Sequence, residues 1–121
     1  MALKNTTYNL GYPLYGARFI THNVLVVAGG GGRDQPTLRS KLTALKVDFT
    51  KKKVIKRFRE ITLDSSDDSP TTLDAAKGVI LLGCNEGAEK IAETNVNHHI
   101  RKYVYQNDHL QFTASIDSVS Y

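Results

Sequence analysis

Apolar residues gather in two short runs, Val24-Leu25-Val26-Val27-Ala28 and Val79-Ile80-Leu81-Leu82. Both are shorter than a helix needs and rich in branched side chains, which predicts buried strands. The first follows a tight turn at Thr21-His22-Asn23 and the second follows Lys77-Gly78. Each then runs into a long polar loop, Gly29 to Ser40 in one case and Asn85 to Asn97 in the other. Beyond the first loop, Leu42, Ala44 and Lys46 alternate with Thr43, Leu45 and Val47, the period of two expected of a strand. Asp48-Phe49-Thr50-Lys51 turns that strand into another over Val54 to Leu63. Ile100 to Tyr105, the turn Gln106-Asn107-Asp108 and Leu110 to Phe112 repeat this order. Upstream, Tyr8 to Tyr15 is an extended lead-in with a turn at Gly11-Tyr12-Pro13, and Ala17 to Ile20 is a short strand. Helical spacing is nearly absent. Thr72 to Lys77 comes closest, and its Lys77-Gly78 ending predicts a turn there instead.

The pattern thus occurs twice, and four short strands per unit mark a β-propeller blade. The predicted fold is all-β, a WD-repeat-like propeller of which this chain supplies about two blades, residues 15–63 and 71–117. Asp64-Ser65-Ser66-Asp67-Asp68-Ser69-Pro70 reads as a solvated acidic linker between them. Propellers close with roughly four to eight blades. The remaining blades are therefore expected from the same or another chain, with Asp117 to Tyr121 as a stub beyond the second.

The four glycines from Gly29 to Gly32 need a reason, because each costs about 0.5–1 kcal/mol of order relative to Ala. Either the backbone takes φ > 0, expected at Gly31, or it approaches another group closely, or the loop presents amides and carbonyls to a ligand. A wide turn is the plain alternative. A phosphate loop would need Gly-Lys-Ser/Thr opening a helix. Here the glycines lead to Arg33-Asp34-Gln35-Pro36, and the next lysine, Lys41, opens a strand.

Composition narrows the classes further. A chain of 121 residues is one domain at most, with hydrophobic and charged contents ordinary for a globular protein. Its longest apolar run, Gly78 to Cys84, is too short to cross a bilayer, and no signal peptide opens it. The single cysteine, Cys84, excludes an internal disulfide and reads as a small buried hydrophobe. Much of the net charge of +4 comes from Lys51-Lys52-Lys53, Lys56, Arg57 and Arg59. With Val54, Ile55 and Phe58 threaded through it, this cluster fits a hairpin tip and a solvated outer strand. No recognition helix or set of stacking aromatics accompanies it, so no nucleic-acid partner is expected. His98-His99 lacks a Cys or carboxylate at a metal-binding spacing, and no nucleophile with its base can be assembled.

Several motifs together resemble a known family: Gly11-Tyr12-Pro13, Tyr15-Gly16-Ala17-Arg18-Phe19, Val26-Val27-Ala28 with the glycines, Asp67-Asp68-Ser69-Pro70-Thr71 and Gly83-Cys84-Asn85-Glu86. They resemble the start of the fungal endoplasmic-reticulum proteins whose membrane-anchored propeller acts on the small GTPase that initiates COPII vesicle budding. The resemblance implies an exchange factor working without covalent chemistry on the cytosolic face of that membrane, held there through a C-terminal anchor missing from this chain. It also implies that the loop Gly30, Gly31, Gly32, Arg33, Asp34, Gln35, Pro36, Thr37, Leu38, Arg39 and Ser40 faces the GTPase, and that backbone around Gly29, Gly30, Gly31 and Ser40 holds a potassium ion. Exchange-competent members carry an Asn-rich loop with Asn just before the lysine, which this chain lacks. Thr43-Ala44-Leu45-Lys46-Val47, Lys51-Lys52-Lys53 and Phe58 to Asp64 are more similar to the divergent relative, which regulates the same pathway with little exchange activity. An active exchange factor and a propeller scaffold without GTPase activity are the alternatives.

Overall fold

A computed structural model describes residues 6–31 and 37–116. The expectations placed on Gly32, Arg33, Asp34, Gln35 and Pro36, and on the stub from Asp117, lie outside these residues. The described chain folds into two four-stranded antiparallel sheets with one short helix. The first holds β1 (Leu14–Phe19), β2 (Val24–Gly29), β3 (Lys41–Val47) and β4 (Ile55–Thr62), paired in sequence order. The second holds β5 (Thr72–Ala76), β6 (Val79–Gly83), β7 (Ile100–Gln106) and β8 (His109–Ile116), again in order. Two successive four-stranded meanders are blades of a β-propeller. Each blade has a bulge between its third and fourth strands, which leaves Phe58 and Thr113 without a directly opposed partner.

The apolar runs become the second strand of each sheet. Val24, Val26 and Ala28 of β2, with Leu42 and Ala44 of β3, pack on Ile80 and Leu82 of β6 and Tyr103 of β7. Period two puts these residues on one face, and burying a side chain of that size stabilises by about 1.5–3 kcal/mol. Ile20, Leu63 and Cys84 complete the cluster. β1 lies along β5, where Arg18 Nε comes within 3.5 Å of Asp74 Oδ1. Further out, Phe58 meets Tyr105 edge to face with centroids 6.1 Å apart.

The outer faces differ. On the first sheet Val27, Thr43 and Leu45 are buried as well, and residues 8–13 run across that side. The Tyr12 hydroxyl bonds Thr43 Oγ1, and Arg57 Nη2 donates to the Leu10 carbonyl at 2.6 Å. On the second sheet Val79 and Leu81 remain 36% and 45% exposed.

Three expectations need correcting. Thr72–Ala76 is strand, with the turn confined to Lys77 and Gly78; cross-strand pairing with β6 overrides a sequence weak in β-formers. The second loop is not wholly irregular, since it carries α1 (Ala88–Thr94), ended by Asn95 in the left-handed region at φ 58. The segment from Asp64 to Pro70 is solvated only over Asp64 to Ser66, since Asp67 and Pro70 are buried and Asp68 and Ser69 half-buried.

Candidate functional site

The glycine loop leaves the sheet through a tightly held stem. A Cβ on Gly29 would stand 1.8 Å from the Pro13 carbonyl oxygen, so the close approach of the N-terminal segment dictates glycine there. Gly30 has φ +139, a backbone region essentially reserved for glycine, and its Cα faces Ser40 so closely that a Cβ would meet the Ser40 backbone at 2.4 Å. The positive φ expected at Gly31 is thus found at Gly30. Gly31 instead donates its amide to the Leu38 carbonyl at 2.7 Å, and Gly30 donates to Pro13 at 2.9 Å. On the returning side, Ser40 is buried, its carbonyl accepts from the Leu63 amide at 2.8 Å, and Arg39 Nη2 donates to the Leu63 carbonyl at 2.6 Å. Thr37, Leu38 and Arg39 are the more open part of what is described.

The acidic segment is built into this stem. Ser69 Oγ donates to the Gly30 carbonyl at 3.0 Å, tying the segment to the first loop. Its other flank faces the second loop: the Asp68 amide donates to the Asn85 carbonyl at 3.0 Å, and the Cys84 thiol donates to the Asp68 carbonyl, also at 3.0 Å. Between them Asp67 Oδ2 accepts from Arg101 Nη1 at 2.7 Å, with 3% and 10% of the two side chains exposed. Segment 64–70 therefore bridges both loop stems at the same end of the two sheets.

The second loop is organised by Glu86. Its carboxylate is 4% exposed and takes the His98 amide and the His98 ring nitrogen Nδ1 on one oxygen, each at 2.7 Å, while Lys90 Nζ lies 3.2 Å from the other. Burial alone would raise its pKa, but the hydrogen bonds from His98 and Lys90 outweigh that and hold it at about 2. His98 thus does have a carboxylate partner, one that folding brings from twelve residues upstream. Asn97 closes the loop by accepting from the Glu86 amide at 3.0 Å and donating to Asn85 Oδ1 at 3.0 Å. A cleft of about 360 Å³ lies between the blades at this end, with Glu86, His98 and Arg101 on one wall and Ile61, Thr62 and Leu63 on the other.

Glu86→Gln should lower stability at neutral pH by about 1–3 kcal/mol, because the substitution keeps the shape but removes the charge that His98 and Lys90 address. A carboxylate with a depressed folded pKa contributes fully above its ordinary value, here 4.5, and loses that contribution as pH falls towards about 2. Urea titrations across this window should show a fall in wild-type stability that the Gln variant lacks. Parallel pH profiles in the two proteins would count against the assignment.

These groups tie the two loop stems together. Burial, opposed by the Arg101 charge, pushes the Cys84 thiol up to about 11, far from a nucleophile's range. Among the described residues no three His, Cys, Asp or Glu side chains converge to hold a metal ion. Of the four residues that the resemblance groups, Gly30 backs directly onto Ser40, Gly29 onto Pro13, and Gly31 is bonded to Leu38. The sequence reading missed Pro13, Asp67, Ser69, Glu86 and Arg101, whose roles depend on contacts far apart in the chain. Four of them had a signal, since Pro13, Asp67, Ser69 and Glu86 lie inside motifs that carry the resemblance, and Arg101 had none.

No protein-family profile matches the chain. Individual proteins do. It is 58% identical over 113 residues to SED4 of Candida glabrata and 55% identical over 117 residues to SED4 of Saccharomyces cerevisiae, both provisionally named guanine nucleotide-exchange factors. It is 40% identical over 119 residues to the guanine nucleotide-exchange factor SEC12 of Candida glabrata. These alignments take in 93%, 97% and 97% of the chain, which spans 11% of each SED4 and 26% of that SEC12. Motifs, blade architecture and identity agree, and over this stretch the chain belongs to the fungal SEC12/SED4 family.

Proposed function

We propose that this chain is part of a regulator of the small GTPase that initiates COPII budding, presented at the cytosolic face of the endoplasmic reticulum, and that it is of the SED4 kind with little exchange activity of its own. The observation that carries the reading is the identity of 58% and 55% to the two SED4 proteins against 40% to SEC12. It agrees with the departure of Arg33 to Ser40 from the Asn-rich loop. Further blades complete the propeller by packing on the sheet face that leaves Val79 and Leu81 exposed.

Exchange is differential binding: a factor that favours the nucleotide-free GTPase over the loaded one releases nucleotide without bond chemistry. An element that presses on a GTPase must not yield, and a loop whose two ends are held by Pro13, Leu63 and Ser69 suits that task. The donor set here also fits potassium, which takes neutral oxygens. Ser40 Oγ is buried with no hydrogen-bond partner among the described residues. The Gly30 and Ser40 carbonyls accept from Ser69 and Leu63 and each keep a second lone pair. Bound there, the ion would supply positive charge that draws these oxygens together, with Gly29 and Gly31 as neighbours.

Release of labelled nucleotide from the purified GTPase tests this reading. The complete protein should accelerate release little, and replacing residues 33–40 with the Asn-rich segment should raise the rate by tenfold or more, about 1.4 kcal/mol of barrier. The gain should be larger in potassium than in sodium buffer. A swap that alters neither release nor GTPase affinity in potassium would remove the loop from the mechanism, and brisk release by the unaltered protein would make it an active exchange factor.

A further inference from the structure

The hairpin turn between β3 and β4 lies at the end of the first sheet opposite the glycine loop. Beside it is a basin of about 560 Å³ whose walls include Lys46, Lys51, Lys53 and Lys56, with Asn23 and Asp48. Two features make it more than a solvated charge run. Lys46 and Lys56 are directly opposed across the β3–β4 ladder, so two like charges are held on one face where they repel. The acids nearby offset only part of this: Asp108 pairs with Lys46 at 3.6 Å, and Asp48, which accepts the Thr50 amide and hydroxyl at 2.9 and 2.6 Å, also feels the Lys51 charge. Two carboxylates thus face four lysines, and positive charge remains in excess. Next to the lysines, in the turn itself, Phe49 is 57% exposed.

We infer that this hairpin tip docks on an anionic lipid surface, with a phosphate headgroup seated among Lys46, Lys51, Lys53 and Lys56 and Phe49 entering the interfacial layer. A basic cluster attracts such a surface, and an aromatic ring beside it is at home at headgroup depth. A single-stranded nucleic acid would instead need a basic groove with several aromatics for successive bases. The inference is independent of the GTPase reading, which concerns the other end of the blade.

Vesicle flotation with the complete propeller tests it. Binding should be seen with phosphatidylcholine vesicles that contain phosphatidylserine or a phosphorylated phosphatidylinositol, be absent with phosphatidylcholine alone, and weaken as salt is raised. Each lysine near the surface is worth about fivefold, so Lys51→Gln with Lys53→Gln should weaken binding by about twenty-fivefold. Lys77→Gln with Lys102→Gln, which removes equal charge elsewhere, should change it less than about twofold on the same scale. Phe49→Ala should also weaken it, and circular dichroism should show every variant folded. The inference falls if the hairpin variants float like wild type or if the control pair weakens binding equally. It falls too if soluble inositol phosphates bind as tightly as vesicles, or if an oligonucleotide displaces the vesicles at the same salt.

Discussion

Arg101→Met is expected to be among the most destabilising single substitutions in this chain, costing about 3–5 kcal/mol. Its partner Asp67 is 3% exposed, and Asp67 Oδ1 already has no hydrogen-bond partner among the described residues. Removing the guanidinium leaves a carboxylate that is 3% exposed and has lost its counter-charge, and the penalty is the cost of that stranded charge. Changing both residues together, Arg101→Met with Asp67→Leu, should recover most of the loss, since a buried pair exchanged for apolar groups of similar volume is often neutral. Urea denaturation of the single and double variants gives the comparison. A single variant within about 0.5 kcal/mol of wild type would show that Asp67 finds water after all.

The second large effect should come from Gly30→Ala. The residue has φ +139, where an L side chain costs on the order of 1–3 kcal/mol, and the added Cβ would overlap the Ser40 backbone. Ser40 cannot retreat easily, because its carbonyl is bonded to the Leu63 amide. Stability should fall by about 2–4 kcal/mol, with strain and overpacking combined. If the loop meets a GTPase as proposed, that binding should suffer more than the blade does, because the Pro13 and Ser69 contacts of Gly30 set where the loop emerges. Equal stability and binding for the variant and wild type would mean that the stem is free to rearrange.

The strands could be read from the sequence because their signal is local. Val24 to Ala28 and Val79 to Leu82 are short, branched and bounded by turn residues, and the alternation of Leu42 to Val47 names its buried face directly. The helix α1 could not be read this way. Ala88, Glu89, Lys90, Ala92 and Glu93 suit a helix, but Ile91 is its single large apolar residue and no side chain in it is buried, so no apolar stripe exists to find. Polar anchors were hidden for a different reason. Asp67 and Arg101 are thirty-four residues apart, and an Asp among serines near a proline looks like any turn until a distant arginine arrives over it. At the glycine loop, the need for glycine was legible in the run itself, whereas its assignment to Gly29 and Gly30 came from Pro13 and Ser40 pressing on the backbone.

The bridging segment has a consequence for how one blade is seated on the next. Contact between aliphatic faces is non-directional, so Val26 and Leu42 against Ile80 and Leu82 would tolerate a small slide or rotation of one sheet over the other at little cost. The Ser69 to Gly30 bond, the Asp67 to Arg101 pair and the Cys84 to Asp68 contact tolerate none, since each fails within a few tenths of an ångström. At this end the stagger between the blades is therefore held by seven residues outside both sheets, and with it the spacing of the two loops there. An insertion in that segment would leave the strands intact while putting the two loops out of register with any surface that must meet both.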